Sequence, residues 1–180
     1  MTEKEKLIHL CMNNCGCALN DVFDQCGTLL FYTSWYEERL FTKEKRRGSR
    51  NDNEKTVCSQ LTSMIDISIF DQYGDVFVSR YISDSLEATT EFANLHLPRS
   101  IRDEVKTALV EFAEGTRHPD NLLWSYMQIV YQFRNNMFHG NKGLANLKNF
   151  ETQFNLINAF MHKLMCEIIR WDYHGLRNHT

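Results

Sequence analysis

The sequence predicts an all-α protein built as an antiparallel helical bundle. Its 180 residues contain only two prolines, Pro98 and Pro119, so long helices are permitted almost everywhere. The two best helical patterns, at about 121–138 and 147–171, are joined by a short loop that suits an antiparallel helix pair. The single stretch of β character, 76–82, has no partner strand elsewhere, so it is interpreted as an extended connector or part of a helix.

Four further helical segments precede this closing pair. The first is rich in aromatic residues after position 28, which is typical of a central helix. A turn is expected at 73–75, and Ser83 and Asp84 are candidate caps for the helix that follows them. The predicted helical segments are about 4–40, 57–70, 84–95 and 98–113.

The stretch 42–55 contains no apolar side chain, so we exclude it from the core and predict an exposed, mobile loop within a single domain of residues 1–180. Five of its first nine residues are lysine or arginine. This composition fits a solvated connector, and it also fits a basic arm that contacts RNA phosphates. The sequence leaves both interpretations open.

Composition narrows the class of protein. A hydrophobic content of 43% indicates a folded chain, and a net charge of −3 means that any RNA contact must use local basic patches. No apolar run reaches membrane-spanning length, and the charged N-terminus is unlike a signal peptide, so we expect a cytoplasmic protein without membrane contact. The motifs of nucleotide-binding loops, zinc proteases and serine hydrolases are absent, and no cofactor is expected.

Six cysteines are present, three of them clustered as Cys11-x3-Cys15-x-Cys17. No second compact pair follows at zinc-site spacing, so reduced and partly buried thiols are favoured over a metal site or a disulfide. His162, inside the last helical pattern, is interpreted as a packed or surface histidine.

The candidate chemistry lies in Arg134 and His139, at the end of a strong helical pattern. A guanidinium binds phosphate through two parallel hydrogen bonds, and an imidazole transfers protons near neutral pH. In a regular helix the two side chains diverge by about 140°, so they cannot meet within one helix. Asn135 shares a face with His139 and can fix the imidazole tautomer. Alternatively, Arg134 forms a salt bridge and His139 caps the helix.

The segment Arg134-Asn135-x-x-x-His139 resembles the signature of the HEPN superfamily, which is an arginine and a histidine four to six residues apart with Asn, Asp or His favoured after the arginine. The detailed resemblance covers about 122–171. It implies a HEPN-like helical bundle that dimerises and places both motifs along one cleft. It also implies metal-independent endoribonuclease activity, often in toxin–antitoxin or anti-phage systems.

The resemblance assigns roles by position. His139 transfers protons at the 2′-hydroxyl and the leaving 5′-oxygen, and Arg134 stabilises charge in the transition state. Asn135 orients the imidazole or contacts phosphate. Further expected contributors are Asn136, Asn141 and Lys142 at the substrate and Glu38 as an acid that supports Arg134. Expected partners are RNA, a second copy and an antitoxin or regulatory protein; the alternative is a non-catalytic HEPN-like module that binds RNA, nucleotide or a partner protein.

Overall fold

The structure is a computed structural model, and it describes residues 19–40, 50–66, 68–116, 118–138 and 150–177. Throughout these ranges the regular structure is helical, which confirms the all-α prediction. Extended pairing within them is limited to one bridge between Ile82 and Ala88. The described helices are α1 (Leu19–Leu40), α2 (Arg50–Thr62), α3 (Ser68–Tyr81), α4 (Thr90–Ala93), α5 (Arg99–Ala113), α6 (Pro119–Phe138) and α7 (Glu151–Arg177).

Helix α6 is the centre of the molecule. Every residue from 122 to 131 is buried, and all but Ser125 and Gln128 are hydrophobic, so this segment needs neighbours all round. It packs most extensively on α2 and α5 and also touches α1 and α3. Among the described helices, none has both the length and the apolar character that a membrane span requires.

Aromatic side chains connect α6 to α3 and α7. The Phe77 ring of α3 stacks on Tyr126 at 4.6 Å, and Phe160 of α7 meets Tyr126 edge-on at 5.5 Å. Nearer the end of α6, Phe133 contacts Phe154 at 5.0 Å. Since earlier residues of α6 meet later residues of α7, the two helices run in opposite directions, and bulky rings fill the space between them.

Helix α7 runs in the same direction as α1. Gln25 donates from Nε2 to Asn155 Oδ1 at 2.9 Å, and Asn158 donates from Nδ2 to the Gln25 carbonyl oxygen at 3.0 Å. Further along both helices, the rings of Tyr32 and His162 lie 6.0 Å apart. Later residues of α1 contact later residues of α7, so the two helices are parallel.

The predicted loop at 42–55 is wrong in its second half, because α2 already begins at Arg50. Residues 41–49 lie outside the described part of the chain. Glu54 is 0% exposed, although the absence of apolar residues had excluded this stretch from the core. It lies one helical turn before Cys58, on the face of α2 that packs inward.

A polar cluster surrounds Glu54. Tyr36 of α1 donates its hydroxyl to Glu54 Oε1 at 3.0 Å, and the Cys58 Sγ lies 3.9 Å from the same oxygen. Burial raises the pKa of Tyr36 and of Cys58 well above their ordinary values, so both remain protonated donors. The cluster joins α1 to α2 through a satisfied buried carboxyl oxygen.

The other described cysteines are also free thiols. Burial raises the pKa of the Cys26 thiol to about 11, which makes it unreactive, whereas Cys166 is exposed on α7. The cluster of Cys11, Cys15 and Cys17 lies outside the described residues.

Two local predictions between 73 and 95 are wrong. Helix α3 continues through the expected turn at 73–75 and ends at Tyr81. The stretch 76–81 is therefore helical, which confirms one of its two interpretations. After it comes a loop in which Leu86 has a positive φ of 64°, and only the short α4 follows, capped by Thr89 and not by Ser83 or Asp84. Tertiary packing overrides the local signal here.

Gly74 explains why glycine stands inside α3. A Cβ atom at this position would overlap the buried Phe112 ring of α5, lying 2.8 Å from Cε1 and 2.9 Å from Cε2. The glycine therefore permits close approach of two helices. Gly27 of α1 differs, since a Cβ there would meet no atom within 4 Å.

These two glycines form a matched pair for measurement. Gly27→Ala should raise the free energy of unfolding by about 0.5–1 kcal/mol, because alanine favours the helix. Gly74→Ala should lower it by about 1 kcal/mol or more, because overpacking exceeds that gain. Urea denaturation of both variants measures the difference, and equal stabilisation by both would contradict the close packing of α3 against α5.

Candidate functional site

The site begins at Arg134, which stands just before the last turn of α6. Arg134 follows the fully buried segment; Arg134 and Asn135 are partly buried, and Asn136 is buried again. The description of α6 ends at Phe138. His139, Asn141 and Lys142 therefore lie outside the described residues, and their predicted roles stay predictions.

Two groups hold the guanidinium of Arg134. Its Nη1 lies 3.2 Å from Glu37 Oε1 of α1, and its Cζ lies 5.1 Å from the centre of the Tyr131 ring. The Arg134 side chain is 16% exposed, so the charge is partly shielded from water. A carboxylate at one side and an aromatic face at another orient the guanidinium while its remaining N–H groups have no hydrogen-bond acceptor among the described residues.

The acid that supports Arg134 is Glu37, whereas the sequence predicted Glu38. Adjacent helical residues point about 100° apart, so only one of the two can face α6. Glu38 is exposed and makes no such contact with Arg134 among the described residues. The register of α1 decides the matter: Tyr36 is fully buried against α2, and Glu37 is directed beside it towards Arg134.

Asn136 is a structural residue, which corrects its predicted role at the substrate. It is 3% exposed, and its Nδ2 donates to the carbonyl oxygen of Leu95 at 2.8 Å. Its Oδ1 accepts from Gln132 Nε2 at 2.9 Å. The amide is thus used on both sides, holding the connection between α4 and α5 against α6.

Asn135 differs from Asn136 in its burial and in its hydrogen bonding. It is half-buried at the same end of α6 as Arg134, and its side chain makes no hydrogen bond to any described residue. Of the predicted site residues, the structure places Arg134 and Asn135 next to each other near the end of α6, both partly buried.

Sequence reasoning did not single out Tyr131 or Glu54. Tyr131 precedes Arg134 by three residues, and that spacing brings a ring and a cation onto one helix face. Tyr131 also contributes electrostatically to the raised pKa of Tyr36, after the larger effects of burial and of Cys58 and Glu54.

The described residues contain no preformed metal centre. Across the described ranges, no group of three or more His, Cys, Asp or Glu side chains could hold a metal ion. The chain matches no protein-family model, no curated protein and no solved structure.

The Glu37–Arg134 pair can be measured by a double-mutant cycle. With Glu37→Gln and Arg134→Met, the coupling free energy should be about 0.5–1 kcal/mol, as expected for a partly shielded ion pair. The same cycle with Glu38→Gln should give a value near zero. Equal coupling for both acids in urea denaturation would contradict the register of α1.

The two adjacent asparagines provide a second comparison. Asn136→Ala should lower the free energy of unfolding by about 1–3 kcal/mol, because it leaves the Leu95 carbonyl without its donor. Asn135→Ala should change it by less than about 0.5 kcal/mol. Chemical denaturation measures both values, and a neutral Asn136→Ala would show that the Leu95 contact does not stabilise the fold.

Proposed function

We propose that the protein is a metal-independent endoribonuclease of HEPN type, acting as a homodimer with a composite active site. The observation that carries this proposal is the guanidinium of Arg134, five residues before His139 in the sequence. Glu37 and the Tyr131 ring orient it, and its other N–H groups have no acceptor among the described residues. A phosphate of RNA can accept from the N–H groups that Glu37 leaves open. The expected HEPN-like arrangement of the bundle is part of the same proposal.

The proposed reaction needs only proton transfer and charge stabilisation. The RNA 2′-oxygen attacks the adjacent phosphorus as His139 accepts its proton, and the bond from phosphorus to the 5′-oxygen breaks as that oxygen gains a proton. The products are a 2′,3′-cyclic phosphate and a 5′-hydroxyl. Arg134 stabilises the negative charge that develops on the phosphoryl oxygens, and Asn135 orients the imidazole or binds phosphate.

A dimer supplies the second histidine. One imidazole can then act as base while the other acts as acid, and the side chains of Arg134 and His139, which diverge on one helix, can converge across a two-fold axis. The proposed assembly is therefore two chains with their α6 ends facing one cleft. In this proposal the protein serves in the cytoplasm as a toxin or anti-phage effector, restrained by an antitoxin or regulatory protein.

The second candidate is a non-catalytic module of the same class that binds RNA, nucleotide or a partner protein. The Glu37–Arg134 ion pair favours it, because a neutralised arginine is also a structural element. The two candidates make different demands on His139. Only the nuclease requires a proton-transferring group at that position.

The deciding measurement is cleavage of total cellular RNA by the purified protein in excess EDTA. The natural protein should release fragments with cyclic-phosphate ends. Arg134→Ala should slow cleavage by about 10²–10³-fold and His139→Ala by about 10²–10⁴-fold, as expected for loss of a charge stabiliser and of an acid–base group.

His118→Ala is the matched control, since His118 is an exposed residue directly before α6 and lies outside the proposed site. It should cleave at the natural rate. Cleavage that is equal in all four proteins would identify a contaminating nuclease. No cleavage by the natural protein would favour the binding module, and RNA binding by the same variants would then be measured.

A further inference from the structure

The outer face of α7 carries an uncharged stripe that the proposed ribonuclease does not use. Ala159, His162, Cys166 and Ile169 follow one another at intervals of three, four and three residues, so they share one helix face. All four are exposed, and Ile169 is 50% exposed despite its apolar side chain. The two middle residues are a histidine and a free thiol, both ligands of soft divalent metals.

The spacing between these two ligand atoms suits a metal ion. His162 Nε2 and Cys166 Sγ lie 3.8 Å apart. In a tetrahedral zinc centre, Zn–S of about 2.3 Å and Zn–N of about 2.0–2.1 Å place sulfur and nitrogen about 3.6 Å apart. The pair can therefore chelate one ion after a change of about 0.2 Å.

The described residues offer only half of such a centre. Zinc takes four protein ligands in structural sites, and the described residues provide no third His, Cys, Asp or Glu within reach. The nearby charges are already engaged with one another, because Lys163 and Arg170 both approach the buried Glu167 carboxylate. The described residues thus supply two of the four ligands, and another molecule can supply the other two.

A second copy of the chain fits this requirement best. An isologous two-fold contact between α7 helices would bring a second His162 and Cys166 to the same ion. The small Ala159 permits close approach of the helices, and Ile169 and Phe31 (60% exposed) supply apolar area beside the ligands. Phe31 lies on α1 next to Tyr32, whose ring contacts His162.

We propose that His162 and Cys166 form half of a zinc site that is completed by the same pair from a second chain. Binding of one Zn²⁺ releases the protons of two thiols to solvent, and the two thiolates balance the charge of the ion. The ion bridges two chains and takes no part in RNA cleavage. The inference is independent of the proposed ribonuclease function, which is tested in EDTA.

The experiment adds Zn²⁺ or Co²⁺ to the reduced, metal-free full chain. We expect one ion per two chains, visible for Co²⁺ as the absorption of tetrahedral thiolate coordination. X-ray absorption of the zinc form should show two sulfur and two nitrogen ligands per ion. Because each chain supplies one of each, this ligand count directly tests the two-chain composition.

Two variants localise the ion. Cys166→Ser should abolish this coordination, and circular dichroism should show an intact fold because the side chain is exposed. Joint replacement of Cys11, Cys15 and Cys17 by serine should leave it unchanged. Binding that survives Cys166→Ser, one ion per single chain, or no uptake of Co²⁺ at equimolar micromolar concentration would each overturn the proposal.

Discussion

The structure depends on the burial of one helix. Residues 122–131 of α6 are all buried and mostly hydrophobic, and α2, α3, α5 and α7 cover them. Each large side chain buried in this way contributes about 1.5–3 kcal/mol. Arg134 and Asn135, which follow this segment, are only partly buried, and there the chain changes from mostly apolar to polar residues. The candidate site lies at this transition because burial of a charged guanidinium away from water is costly.

At the candidate site, Glu37 and the Tyr131 ring compete with an incoming phosphate for the Arg134 guanidinium. Glu37 and the Tyr131 ring hold Arg134 in place, and each also lowers its attraction for an incoming phosphate. A free arginine side chain would lose conformational entropy on binding, whereas this one has already lost it during folding. Pre-orientation therefore strengthens a bidentate contact, provided that the phosphate reaches the N–H groups that Glu37 does not use.

Periodicity predicted the fold class and the closing helices because their apolar spacing is long and regular. It failed at Gly74, where the helix is fixed by contact with Phe112 of another element, and at Glu54, where a carboxylate is buried by pairing with Tyr36. At the site, residue chemistry found Arg134 and Asn135. It predicted Glu38 in place of Glu37 as the supporting acid, and it predicted a substrate role for the buried Asn136. A shift of one residue along a helix changes which side chain faces inward, and the local sequence does not determine that orientation.

The hydrogen bond from Asn136 to Leu95 joins residues 41 positions apart in the chain. Helix ends ordinarily fray, and a side chain on a frayed turn samples many positions. Here the terminal turn that follows Arg134 cannot open without also releasing the connection between α4 and α5. The position of the guanidinium thus depends on the connection between α4 and α5, which is distant in sequence. A substitution that loosens this connection would displace Arg134 without contacting it.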